Sequence, residues 1–515
     1  MNGAEALIET LHLCGVDVCF ANPGTSEMQL VAAIDQQDGM RAVLGLFEGV
    51  VSGAADGYAR MAEKPAATLL HLGPGLGNAL ANLHNAKRAS SAMINIVGDH
   101  ATDHLKFDAP LTSDVVGVAQ PMSDWVRTSN CASDLAQAGA EAFAEAMTYP
   151  GRIATLIAPA DHAWTDGALP VSKPNPPAPP RVTREEIERA AAALTSAASP
   201  VLYLGGTALR ESALHHAGRI AAATGARLVC ETFAARLERG VGRVAVERLP
   251  YFGEQAAEFL EGTGSMVCVG AKPPVSFFAY PGKPSWLSPE QADLVDLASE
   301  KVDALDALER IADALEAPNE PALVQSAGVP EVLSGPLTPQ SAGTVIANLI
   351  PENAIVSDEA ATAGLAFFPM TQGAPKHDWM MLTGGSIGQG LPLALGASIA
   401  CPDRKVLALQ ADGSAMYTVQ ALWTMAREVC DITTVILNNS SYAILNVELA
   451  RVGVETPGPK ARSLLDLGNP ELDWVSISTG MGVPAVKVHT TEELHAELEQ
   501  ALERKGPRLI EAIIG

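Results

Sequence analysis

Short apolar runs alternate along this chain with turns that carry glycine, asparagine or aspartate. The run Lys405-Val406-Leu407-Ala408-Leu409 has the length of a buried strand and ends on Gln410-Ala411-Asp412-Gly413-Ser414. Residues 419–429 follow, with Leu422, Met425 and Val429 spaced for one face of a helix. A second run, Ile432-Thr433-Thr434-Val435-Ile436-Leu437, is rich in β-branched residues and ends on Asn438-Asn439-Ser440-Ser441-Tyr442. Strand, turn, helix, strand and turn place both turns at the carboxyl ends of parallel strands, where open α/β sheets bind ligands.

The same alternation fills the start of the chain. It predicts a helix over 4–14, strands over 17–20 and 42–46, and a small-residue helix over 49–60. A strand over 67–72 opens into the glycine loop Gly73-Pro74-Gly75-Leu76-Gly77-Asn78, then a helix to about Ala89 and a strand over 92–97. Residues 169–180 form a proline-rich linker. Thr183-Arg184-Glu185-Glu186 reads as a capping box, and strands follow at 201–204, 227–230 and 266–269. A second linker holds Pro318, Pro321, Pro330, Pro336 and Pro339, and further strands are expected at 354–357, 486–488 and 508–514. The expectation is an α/β chain of three doubly wound parallel-sheet domains, 1–165, 182–316 and 335–515. A length of 515 residues suits three domains of ~150–200 residues each.

The turns carry chemistry. Asp412 offers a hard carboxylate oxygen, Gly413 lets the backbone approach a ligand, and Asn439 offers an amide oxygen 27 positions later. Such a set suits Mg²⁺, which takes oxygen ligands beside phosphates. The alternative is two ordinary turns, which Asp-Gly and Asn-Ser commonly form. Glu48 sits between an apolar strand and a glycine-rich helix with no cation beside it in sequence. A poorly solvated carboxylate there can share a proton, whereas a plain helix-start Glu is simply favoured by the dipole. His71 ends a strand just before a glycine loop, and is either structural or catalytic. His100 and His104, beside Asp99 and Asp103, read as a solvated loop in preference to a metal site. Gly205-Gly206-Thr207 lacks the full dinucleotide fingerprint.

The net charge of −25 argues against nucleic acid and anionic membranes as partners, since no basic surface is available to neutralise phosphates. The seven cysteines show no Cys-x-x-Cys spacing and read as reduced, mostly buried thiols of a cytoplasmic protein. No basic-then-apolar leader opens the chain, and no apolar run reaches the ~18 residues of a membrane span.

Asp412-Gly413 with Asn438-Asn439 resembles the motif of thiamine diphosphate enzymes, a Gly-Asp-Gly turn followed one helix and strand later by Asn-Asn. Ala411 replaces the first glycine. The resemblance implies that Asp412, Asn439 and the Ser441 carbonyl hold Mg²⁺ on the cofactor's diphosphate. Thr362, Gly413 and Ser414 are then expected near the diphosphate, with Tyr442 toward the substrate. In Gly384-Gly385-Ser386-Ile387-Gly388-Gln389-Gly390, Ile387 matches the apolar wedge that bends the cofactor. Glu48, ahead of Gly57-Tyr58-Ala59-Arg60, matches the Glu that hydrogen-bonds the aminopyrimidine and drives loss of the thiazolium C2 proton.

Two subfamilies share the remaining features. Leu70-His71-Leu72-Gly73-Pro74-Gly75 and Asn22-Pro23-Gly24-Thr25 resemble benzoylformate decarboxylases, which implies that His71 transfers a proton and Thr25 places the substrate carboxylate. The stretch Val275-Ser276-Phe277-Phe278-Ala279-Tyr280 lacks the second histidine of that enzyme. Residues 107–116 resemble an active-site loop of acetolactate synthases, but Ala271-Lys272-Pro273-Pro274 stands where those enzymes carry their FAD signature, so no FAD is expected. The resemblance implies non-oxidative decarboxylation of a 2-oxo acid through an enamine, releasing an aldehyde. The alternatives are an acetolactate-synthase-like carboligase and a catalytically silent cofactor-binding subunit. It also implies a homodimer or homotetramer, with the cofactor between subunits.

Overall fold

The computed structural model describes residues 1–297 and 301–514. Three sheets organise them. The first holds β1 (Val18–Asn22), β2 (Arg41–Leu44), β3 (Ala66–His71), β4 (Met93–Asp99), β5 (Trp125–Thr128) and β6 (Ile153–Pro159), all parallel, in the order β2-β1-β3-β4-β6-β5. The second holds β7 (Pro200–Leu204), β8 (Arg227–Cys230), β10 (Glu247–Arg248), β11 (Ser265–Val269) and β12 (Asp293–Asp296), parallel, in the order β10-β8-β7-β11-β12. The third holds β13 (Ala354–Glu359), β14 (His377–Met381), β15 (Val406–Ala411), β16 (Ile432–Asn438), β17 (Ala485–Val488) and β18 (Arg508–Ile513), in the order β17-β18-β16-β15-β13-β14-β9. Its last strand, β9 (Leu237–Arg239), is lent by the middle segment of the chain and runs antiparallel to β14.

The apolar runs become strands because helices cover both faces of each sheet. Every residue of β16 is buried, as is every residue of β6. The strand order switches from one side of the starting strand to the other between β1 and β3, between β7 and β11, and between β13 and β15. These switch points open a crevice at the carboxyl ends of their strands.

The helix expected over 419–429 is shorter. It spans Ala421–Arg427 after a 3-10 turn at Met416–Thr418, with Leu422 and Met425 buried as the spacing required. Val429 lies past its end at φ 53° and is 71% exposed, because the chain there turns back into β16.

The first and third domains meet through helices Glu48–Ala62 and Gly390–Ala400, whose backbones nearly touch. A Cβ on Gly396 would lie 1.8 Å from the Ala54 carbonyl oxygen, and one on Gly57 would lie 2.1 Å from that of Leu393. Arg60 pins the joint. Its guanidinium forks onto Asp56 at 2.8 and 2.7 Å and donates to the carbonyls of Ala235 and Met381, one in each of the other two domains. Fully desolvated, this fork adds geometric specificity as well as attraction. Cys14, Cys19, Cys230, Cys268 and Cys430 are buried, while Cys131 is exposed. Among the described residues no helix is long and apolar enough to cross a membrane.

Candidate functional site

The first sheet presents one cluster at its switch point. β3 ends on His71 and a helix begins at once with Leu72–Arg88, so Gly73 to Asn78 form its first turns and not the expected loop. The junction is sharp, with Leu72 at φ 46°. Gly73 leaves room there for Ser113, whose hydroxyl would lie 2.1 Å from a Cβ. His71 Nδ1 lies 2.8 Å from a carboxylate oxygen of Glu27 and 3.2 Å from the Ser26 hydroxyl. Glu27 is fully buried and also accepts from Ser26 at 2.5 Å and from the Gly24 N–H at 2.6 Å. Thr25 itself is exposed, so within the chain the hydroxyl that meets His71 is that of Ser26. Glu48 opens its helix, 9% exposed, accepts from Asn78 Nδ2 at 2.9 Å, and faces Gly75 beside the His71 side chain.

The third sheet presents the other cluster. Asp412 begins a helical turn directly after β15. One of its oxygens accepts from the Gly413 N–H at 2.9 Å, while Oδ2 is buried with no hydrogen-bond partner among the described residues. Burial raises its carboxyl above the usual range against the backbone N–H groups that favour ionisation. Ala411 has φ −82° and ψ 148°, an extended conformation open to any residue, which explains why the motif's first glycine is dispensable here. Asn439 and Ser441 follow β16, and Asn439 Oδ1 accepts from the Ser441 N–H at 3.0 Å. The Tyr442 ring covers Gly413, where a Cβ would stand 2.5 Å from it. Thr362 is half-buried on the short helix Ala361–Gly364 at the end of β13.

The turn that carries Ile387 is clamped from two sides. From the first domain, Asn82 Nδ2 donates to Gly49 O at 2.8 Å and to Gly388 O at 3.2 Å, and Asn85 binds both the carbonyl and the N–H of Ser386. From β13, Glu359 accepts the N–H groups of Gly388 and Gly390, each at 2.7 Å. Ser414 Oγ, buried, shares its proton between the Ala411 carbonyl at 3.1 Å and the Glu359 carbonyl at 3.3 Å.

Comparison with known proteins gives these clusters a context. The family described as "Thiamine pyrophosphate enzyme, N-terminal TPP binding domain" matches residues 1–124, and its C-terminal TPP binding counterpart matches 362–512. A Mycobacterium tuberculosis relative, provisionally named acetolactate synthase large subunit IlvX, is 53% identical over 100% of this chain and 99% of its own length. The benzoylformate decarboxylase of Pseudomonas aeruginosa is 30% identical over 98% of each. This chain belongs to the thiamine-diphosphate-dependent enzymes. Among solved structures, a thiamine diphosphate-dependent 4-hydroxybenzoylformate decarboxylase from Rhodococcus jostii RHA1 superposes with a TM-score of 0.88 at 25% identity, covering 100% of this chain and 99% of that one.

For a thiamine-diphosphate enzyme the residues present fit the cofactor. A buried carboxylate oxygen with free lone pairs and no partner is costly unless a cation meets it. Asp412 Oδ2, the Asn439 amide oxygen and the Ser441 carbonyl are oxygen donors of the kind that Mg²⁺ takes and would be the residues to hold it. The middle domain also reaches this half. Phe277 approaches Gly385, and the Tyr280 hydroxyl donates to Glu448 on the helix Ala443–Arg451 that follows the Asn439 turn. Arg451 on that helix pairs with Glu254 at 2.5 and 3.0 Å, which holds the Glu254 carboxyl down to about 2.

Two other places stand apart. A cavity of about 610 Å³ lies at the switch point of the second sheet, lined by Gly206, Glu231, Gly270, Lys272, Tyr149 and Phe233, away from Glu48 and Asp412. The His100 and His104 rings lie 5.4 Å apart, tilted by 52°, but no group of three metal-binding side chains of the His, Cys, Asp or Glu type forms among the described residues. Sequence patterns had pointed to Glu48, His71, Asp412 and Asn439. They passed over Glu27, Glu359, Asn82 and Asn85, whose partners lie far off in sequence or are backbone groups.

Proposed function

We propose that this chain is a thiamine-diphosphate- and Mg²⁺-dependent decarboxylase that removes CO₂ from a 2-oxo acid and releases an aldehyde. The observation that supports it most is the cluster of His71, Glu27 and Ser26 beside Glu48: a proton carrier, held by a buried carboxylate, next to the acid that would face the cofactor ring. When bound, the cofactor supplies an electron sink for the pair left by departing CO₂.

The chain's residues do the rest. Asp412, Asn439 and the Ser441 carbonyl would hold Mg²⁺, which would neutralise the diphosphate. Thr362, Gly413 and Ser414 line that end, Ile387 backs the ring and Tyr442 covers the turn. Glu48 would hold the proton that the aminopyrimidine needs when the cofactor is bound. Thr25 would place the substrate carboxylate, and His71 would deliver a proton from Nε2 to the carbon that has lost CO₂. The product is the aldehyde when that proton arrives before a second carbonyl does. Thr25, Leu46, Phe107 and Tyr417 are all exposed, and in this proposal a second copy of the chain covers them in a homodimer or homotetramer of the cytoplasm.

A second reading is an acetolactate-synthase-type carboligase, favoured by the name of the 53% identical relative. CO₂ release over a panel of pyruvate, branched 2-oxo acids and benzoylformate, with product analysis, separates the two. Aldehyde supports the decarboxylase, and a 2-hydroxy-3-oxo acid supports the ligase. No release from any substrate, with Glu48→Gln indistinguishable from the parent, overturns both and leaves a silent cofactor-binding protein.

A further inference from the structure

Glu359 closes β13 and is 4% exposed. Its carboxylate forms no ion pair among the described residues. Instead it sits in a nest of consecutive backbone N–H groups: Oε1 accepts from Gly388 at 2.7 Å and from Gln389 at 3.4 Å, and Oε2 accepts from Gly390 at 2.7 Å. Gly388 stands at φ 94°, which lets the turn wrap around the anion. Nests of this kind usually receive a ligand anion, but here the chain fills its own. The main chain of the same residue also reaches the other turn, since its carbonyl lies 3.3 Å from Ser414 Oγ, whose single proton it shares with the Ala411 carbonyl at 3.1 Å. One residue therefore bonds to the turn that carries Ile387 and to the turn that carries Asp412. These two turns come from separate loops of the third sheet, and the bonds at Glu359 join them directly at the switch point between β13 and β15.

We infer that Glu359 is a positioning residue that fixes the Ile387 turn relative to the Asp412–Ser414 turn, and so sets whether a thiamine cofactor held at its diphosphate also has its rings in register. The inference rests on membership of the thiamine-diphosphate enzymes and on the assigned places of Ile387 and Asp412. It does not depend on whether the product is an aldehyde or a ligated acid.

Two ends of one ligand are involved, and Glu359 would act on their relation more than on either grip. Glu359→Gln keeps the shape and the bonds to Gly388 and Gln389, but its amide nitrogen cannot accept from Gly390. Glu359→Leu loses all three. The test compares parent and both variants without substrate. It measures thiamine diphosphate and Mg²⁺ affinity by calorimetry, the melting temperature of the cofactor-free protein, and exchange of the cofactor's C2 proton with D₂O by NMR after acid quench. The expected result is C2 exchange slowed by about tenfold in Gln and about a hundredfold in Leu, with affinity changed by less than about threefold, because small misplacements cost rate far more than binding. Exchange at the parental rate in both variants would overturn the inference. So would affinity and exchange falling in equal proportion, which is the mark of a merely structural role. Should Glu359→Leu fail to fold, Glu359→Gln decides alone. A parent that leaves the C2 proton unexchanged would bring down the cofactor assignment and this inference with it.

Discussion

His71 and Glu27, 44 positions apart in sequence, meet at 2.8 Å through the imidazole Nδ1 and a carboxylate that solvent does not reach. With Nδ1–H donated to that carboxylate, Nε2 is the ring's free face and its orientation is set. The neighbouring Gly98 leaves room for the acid, since a Cβ there would lie 1.8 Å from Glu27 Oε1. His71→Ala should lower aldehyde formation by ~10²–10⁴, the usual worth of a general acid. Glu27→Gln should cost less and shift the pH profile of kcat. Both should leave calorimetric affinity for the cofactor at the parental value, and a parental kcat in His71→Ala would remove the histidine from the mechanism.

Asp412→Ala should abolish the thermal stabilisation that Mg²⁺ and thiamine diphosphate give the parent. A ligand at 100 times its Kd stabilises by ~2.7 kcal/mol, and a variant that no longer binds gains none of it. Differential scanning fluorimetry with and without cofactor checks this. An undiminished shift would move the metal elsewhere.

Acid stability should be split between two buried groups of opposite sense. His377 is fully buried and pushed down to about 3, chiefly by burial, so it stays neutral in the fold. The unfolded chain binds that proton near 6.5, so the contribution of His377 is present above 6.5 and is lost as pH falls, by ~1.4 kcal/mol per unit. Glu359 is pushed up to about 7, chiefly by burial. Its contribution is present below the ordinary 4.5 and is lost as pH rises from there to 7. Urea unfolding between pH 5 and 6.5 should show a flatter loss on acidification for His377→Gln than for the parent. Glu359→Gln should show a steeper one.

Gly396→Ala should destabilise the protein by ~1–3 kcal/mol or more, because overpacking forces well-packed elements apart. The helices Glu48–Ala62 and Gly390–Ala400 cannot accept a methyl 1.8 Å from Ala54 O without separating. Chemical unfolding measures the loss, and an unchanged midpoint would show that the contact yields freely.

Glu254→Ala should loosen the helix Ala443–Arg451 without unfolding the chain. Half-exposed ion pairs contribute only ~0.2–1 kcal/mol, so the melting temperature should hardly move while proteolysis within 443–465 accelerates. An unaltered cleavage pattern would show that Tyr280 and Glu448 suffice to hold the helix.

Most of the sheet strands were legible because a strand covered on both faces must be mainly apolar or β-branched, as β4 and β16 are. β14 was not, since its His377-Asp378 start is polar, and Asp378 is buried only because Arg236 and Arg404 pair with it. β9 was not either, because three residues with a central glutamate carry no periodic signal. At the site, Asp412 and Asn439 stood out because oxygen ligands need turns at strand ends. Glu27 looked like a turn cap, and its role depends on β3 lying beside β1. Glu359 looked like the tail of a strand, and its partners are backbone N–H groups that no residue type announces.

The strand β9 has a consequence for how this protein is made. It leaves the ribosome roughly 140 residues before β14, its sole pairing partner in the third sheet. At ~5–20 residues per second the nascent chain carries that segment unmatched for roughly 7–28 seconds. The middle of the chain therefore cannot reach its final form during its own synthesis, and it is in that interval that a chaperone would have something to hold.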